Sequence, residues 1–145
     1  MKSKYAKELK KIAQDHGGIL YPEDVVNSAR DPKSPLHDVF EWDDGIAAEQ
    51  YRLEQARRLI RVQVIIEPRK HKMIRAYISL TPARVQEGGY TPIQTIMSNK
   101  KLYEQMKADA ARELEVFNQK YARIEELNPV FEAAEKFIIK VKKKG

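Results

Sequence analysis

An α+β fold, predominantly helical, is what these 145 residues predict. Three observations carry that expectation. Apolar residues recur at spacings of three and four over most of the chain, the period of an amphipathic helix. Between Val62 and Leu80 the period falls to two, the mark of extended strands. A hydrophobic content of 42% with no cysteine supplies a core and excludes disulfides and thiolate metal sites. The expected layout is an N-terminal helical unit, a central β-hairpin and a C-terminal helical hairpin, with domain limits at 1–91 and 92–145.

Residues 3–15 read as a helix with Tyr5, Leu9 and Ile12 on one face, ended by Gly17 and Gly18, which accept a left-handed C-cap at little cost. Pro22 with Glu23 and Asp24 opens a short second helix to Arg30 that buries Val25, Val26 and Ala29. Pro32 and Pro35 then stiffen a turn. Ser34 is the expected N-cap of a short helical segment, Leu36 to Phe40. Asp43 is the expected N-cap, and Asp44 a first-turn acid, of a helix running from Gly45 to about Arg61, rich in Ala, Gln, Glu, Leu and Arg.

Val62, Val64 and Ile66 alternate with Gln63 and Ile65, and Ile74 to Leu80 alternates likewise. Joined through Pro68–Lys72, the two runs read as a hairpin with a basic tip. Residues 81–91 read as a loop, and Thr91-Pro92 opens a short helix through Met97. From Lys100 to about Glu126 one helix carries the stripe Leu102, Met106, Ala110, Leu114, Phe117, Tyr121 and Ile124, too irregular for a sustained coiled coil. Asn128-Pro129 breaks it, and Val130 to Val141 forms a last helix before Lys142, Lys143 and Lys144.

The net charge of +6 is unevenly spread. Residues 21–44 hold two bases against seven acids; residues 45–87 hold nine bases against four acids. A basic middle beside an acidic neighbour permits a polyanion partner without demanding one. The order helix, turn, short helix, longer helix, hairpin resembles a winged helix-turn-helix, in which a recognition helix precedes a two-stranded wing. On that reading Arg52, Arg57, Arg58 and Arg61 on the helix, and Arg69, Lys70, Lys72 and Arg75 on the wing, meet phosphates, while Gln50 and Gln55 read base edges. The helix is long for that role, and Glu41, Asp43 and Asp44 at its start repel phosphate. The bland alternative, a solvated basic helix beside an ordinary hairpin, stays open.

No nucleophile, glycine-rich phosphate loop or Ser/His/Asp signature surrounds His16, His37 or His71, so no catalytic residue, cofactor or enzyme activity is expected. His37, Asp38, Glu41, Asp43 and Asp44 match no calcium or zinc spacing, and no metal is expected there. Trp42 beside Phe40 reads as a core anchor. The stripe of Leu102, Met106, Leu114, Phe117, Tyr121 and Ile124 is the candidate self-association surface, making a homo-oligomer the second reading; packing within one chain as a helical hairpin is the competing one. The opening MKSKYAKELKKIAQDHGG lacks a signal-peptide run and no segment reaches transmembrane length, so no membrane partner and a cytoplasmic location are expected.

The stretch SPLHDVFEWDD followed by AAEQYRLEQARRLIR resembles a segment of a family of small tailed-phage and prophage proteins, and RAYISL, GGY and DAARELEVFNQKY follow in the same order. The resemblance implies a phage-related origin; it supplies neither an activity nor site residues. Together these readings lead to a non-enzymatic DNA-binding protein, with self-association through the C-terminal helices as the alternative.

Overall fold

The computed structural model describes residues 4–43, 45–67, 69–81 and 88–144. The fold is α+β and predominantly helical, with two small antiparallel sheets. The chain divides into two compact units, Met1–Thr95 and Ile96–Gly145.

In the first unit α1 (Ala6–Asp15) buries Leu9, Ile12 and Ala13. It stops because Gly17 and Gly18 take positive φ of 71° and 85°, which lets the Gly18 N–H reach back to the Ala13 carbonyl at 2.7 Å. α2 (Pro22–Ala29) starts with its proline in the first turn, where no N–H is needed, and buries Val25, Val26 and Ala29. The Ser34 hydroxyl accepts from the Leu36 N–H at 3.1 Å, and the expected helical segment after it shortens to a 3₁₀ turn, His37–Val39.

Helix α3 spans Ile46–Arg61, and here one expectation fails. Gly45, not Asp43, occupies the N-cap position, without a side-chain cap. Asp43 lies two residues too early, and its carbonyl is instead held by Arg52 at 3.1 Å. The first-turn role expected of Asp44 falls outside the described residues. Leu9, Ile12, Leu20, Val25, Val26, Leu36, Phe40, Ala56, Ile60, Tyr77 and Tyr90 close one core in this unit.

β1 (Val64–Glu67) pairs antiparallel with β2 (Lys72–Arg75), in the register Ile65↔Ile74 and Ile66↔Met73. The alternating run 74–80 is not one strand. Its Ala76 donates to the Gln63 carbonyl at 2.9 Å and accepts from the Ile93 N–H at 2.8 Å, passing the chain to a second pairing. There β3 (Tyr77–Ile78) pairs with β4 (Thr91–Pro92). Tyr90 also bridges Leu20, so residues 90 and 91 belong to sheet pairing and not to the expected loop; 82–87 lie outside the described residues. Gly89 sits beneath Tyr21, where a Cβ would come within 2.7 Å of the ring.

α4 (Ile93–Met97) leads into the second unit. α5 (Lys100–Tyr121) is capped by the Asn99 side chain, which accepts from the Leu102 N–H at 3.1 Å. It ends at Tyr121, short of the expected Glu126, and a 3₁₀ turn, Glu125–Leu127, follows. Asn128-Pro129 does not interrupt a helix but opens one: α6 spans Asn128–Lys144, with proline in the first turn where it is tolerated. α5 and α6 pack as a helical pair that buries Ala111, Ala134 and Ile138, with the Phe117 and Phe131 rings 6.2 Å apart.

Candidate nucleic-acid interface

Sixteen residues, 30–45, separate α2 from α3. A helix-turn-helix joins its two helices through a turn of about three or four residues, so this pair departs from that motif.

α3 turns Ala56, Leu59 and Ile60 toward the core, and the same face carries Arg52 one turn earlier. Arg52 is 3% exposed. Its Nε donates to the Glu41 carbonyl at 2.6 Å, its Nη2 to the Asp43 carbonyl at 3.1 Å and its Nη1 to Glu49 Oε2 at 3.2 Å. The guanidinium also lies 5.0 Å from the Trp42 ring centroid. This corrects its expected role. Arg52 is a clamp that ties the 41–43 segment to α3, and it is not available to a phosphate.

Trp42 is a core anchor held on several sides: its indole N–H donates to the His37 carbonyl at 2.8 Å and its ring stacks on His37 at 5.0 Å. Arg30 reaches Glu49 at 2.8 Å from the neighbouring helix end. Burial pushes the Glu49 carboxyl up, but the hydrogen bonds and charges of Arg30 and Arg52 outweigh it and hold Glu49 below the usual carboxylate range.

Gln55 is turned inward too. Its amide donates to the Val39 carbonyl at 3.3 Å, which removes it from any base-reading role. Gln50 is exposed. Arg57 and Arg61 share one carboxylate, Glu54, at 3.4 and 2.9 Å. The Arg61 hydrogen bond, with that of Arg57, holds Glu54 below its ordinary value. Of the four α3 arginines only Arg58 is both exposed and without a salt bridge to a described residue.

The hairpin is different. Arg69, Lys70, Lys72 and Arg75 are all exposed, and none makes a salt bridge to a described residue. Glu67 is the one acid in its strands, and its carboxylate is turned onto the tip, accepting the backbone N–H of Arg69 at 3.1 Å and of Lys70 at 2.6 Å. His71 closes the turn at φ 52°, its N–H donating to the Glu67 carbonyl at 2.9 Å. Sequence reasoning missed an apolar component here. Ile66 and Met73 are cross-strand partners on one face, and they stand 60% and 67% exposed. The alternation that signalled strands could have flagged it, since Val64 and Ile66 on one side and Ile65 on the other cannot all face a core.

Among the described residues no group of three His, Asp or Glu side chains converges to hold a metal ion. His37 Nδ1 sits 2.8 Å from the Ala29 carbonyl, and His16 lies 3.5 Å from Asp24. No described helix is long and apolar enough to cross a membrane.

In the second unit Leu102, Met106, Leu114, Phe117 and Tyr121 remain half-buried along α5. Ile124 falls beyond the helix end, in the turn, and is 42% exposed. Leu114, Pro129, Val130, Ala133 and Phe137 border an open apolar groove of about 490 Å³.

Comparison of the chain with protein-family models, with curated proteins and with solved structures gave no match.

Proposed function

We propose that this chain is a cytoplasmic, non-enzymatic DNA-binding protein of phage-related origin whose contact element is the β1–β2 hairpin. The observation that carries the reading is the contrast between two sets of cations. Those of α3 are buried or matched with Glu49 and Glu54, apart from Arg58. Those of the hairpin project into solvent with no salt bridge to a described residue. Like charges held close on a narrow ribbon repel one another, and a line of phosphates relieves that repulsion while releasing condensed counterions. A two-stranded ribbon also has the width to enter a major groove. The phosphate-binding set is accordingly Arg69, Lys70, Lys72 and Arg75, with Arg58 of α3 as a further exposed cation. Fluorescence anisotropy of a labelled duplex at low salt tests this. Binding that weakens when the four hairpin cations become Ala supports it; no binding, or binding indifferent to those changes, ends it.

A second reading is self-association through the α5–α6 pair. It is favoured by the half-covered stripe Leu102–Tyr121 and by the apolar groove beside Phe137, surfaces that a second pair of helices would cover in a four-helix arrangement. Sedimentation equilibrium that finds only monomer at high concentration rules it out.

A further inference from the structure

We propose that the first unit carries a separate binding cleft for a small amphiphilic anion, one with an apolar body bearing an N–H or O–H donor. A cavity of about 740 Å³ opens between α1 and the strands, within the range of about 300–1,000 Å³ typical of small-molecule sites. Its room comes from the sequence. The flank of α1 that faces it carries Ala6 and Ala13, while the larger Leu9 and Ile12 turn into the core. Val64, Ile65, Ala76 and Ile93 give the opposite wall an apolar character.

Two polar features give the cleft its chemistry. Gln63 lines it and is only 3% exposed. Its Nε2 donates to the Leu59 carbonyl at 2.9 Å, and both its backbone groups are satisfied, by Ile60 and Ala76. The remaining atom, Oε1, accepts no hydrogen bond from a described residue, which leaves one acceptor in the cleft for a ligand that brings a donor. At the rim Lys7 and Lys10, three residues apart and so on one side of α1, are exposed and make no salt bridge to a described residue. Paired positive charge at the mouth of an apolar cleft suits an acidic head group with an apolar tail. The site shares no residue with the phosphate-binding set of the hairpin, so neither proposal rests on the other.

Anilinonaphthalene sulfonate is a suitable probe, because it combines an aromatic body, one N–H and a sulfonate. Titrated into the intact chain, it should bind saturably at one site. Ala6→Phe, which fills the cleft, should abolish that binding. The double reversal Lys7→Glu/Lys10→Glu should weaken it about tenfold, and Gln63→Leu several-fold. N-phenylnaphthylamine, the same body without the sulfonate, should bind more weakly. Urea midpoints and far-ultraviolet circular dichroism of the Ala6→Phe variant should match the parent, which separates a filled cleft from a damaged fold. Unsaturable binding, binding indifferent to Ala6→Phe and to the lysine reversals, or displacement of the probe by duplex DNA would each overturn the proposal.

Discussion

Replacing Arg52 by Ala is the most informative single change in the first unit. The side chain is 3% exposed, so the substitution leaves a hole where its stem packed and removes a buried cation with its bonds. The two bonds to the Glu41 and Asp43 carbonyls, at 2.6 and 3.1 Å, are charge-assisted. Because that segment borders solvent, they are counted at the low end, about 1 kcal/mol each. Removing the packed aliphatic stem and the cation on Trp42 adds roughly 1–2 kcal/mol. The ion pair with Glu49 is discounted to almost nothing, since that carboxylate is 41% exposed and solvent screens it. The expected loss is about 3–4 kcal/mol. With a slope of about 2 kcal/mol per molar urea, typical of a small domain, the midpoint falls by roughly 1.5–2 M. Trp42 is the one tryptophan of the chain and touches the altered group, so its fluorescence reports the transition directly. Arg57→Ala, at a solvent-exposed pair, serves as the control and should leave the midpoint nearly where it was. If the two substitutions shift the midpoint equally, Arg52 is not a clamp.

Two further outcomes follow from the same geometry. The Glu49 carboxyl is depressed in the folded chain, so near pH 4 the unfolded chain binds more protons. Its stabilising contribution is therefore complete above the unfolded value of about 4.3 and is lost as pH falls through the folded value. Urea midpoints of the parent and Glu49→Gln should differ only slightly at pH 6, as fits an exposed pair, and that difference should vanish as pH falls through the folded value. Gly89→Ala should destabilise by about 1–3 kcal/mol, because the new Cβ meets Tyr21 and Ile19 at 2.7 and 2.8 Å and must push apart the Leu20–Tyr90 bridge; a thermal melt checks it.

Much of this fold was legible in the sequence because its signals are local. The Gly17-Gly18 stop, Pro22 in a first turn and the period-two run after Val62 each act through the backbone of the residues that carry them. The failures have a common physical cause. Where strands pair, and which acid caps a helix, depends on groups distant in the chain. Ala76 divides an apparently continuous strand because Gln63 and Ile93 bond its two sides. Asp43 is not the N-cap because α3 starts at Ile46, two residues beyond its reach, and its carbonyl is held by Arg52 instead. The candidate site shows the same division. The basic hairpin tip was visible as a run of cations, but the sorting of α3 into buried, matched and free arginines was only partly so. Arg52 was expected to meet phosphate, although its spacing from Ala56, Leu59 and Ile60 sets it on the face that the structure buries. Arg57 and Arg61 stand three and seven residues after Glu54, within reach along one helix face, yet the choice of partner belongs to the folded surface.

The salt dependence of duplex affinity tests the central claim most directly. If the ribbon neutralises the phosphates, changing Arg69, Lys70, Lys72 and Arg75 to Ala should flatten the slope of log affinity against log salt by about 3–4 units, near 0.9 for each phosphate no longer neutralised. Changing Arg57 and Arg61 should leave that slope in place. The reverse ranking, with the helix pair controlling the slope and the ribbon silent, would contradict the account.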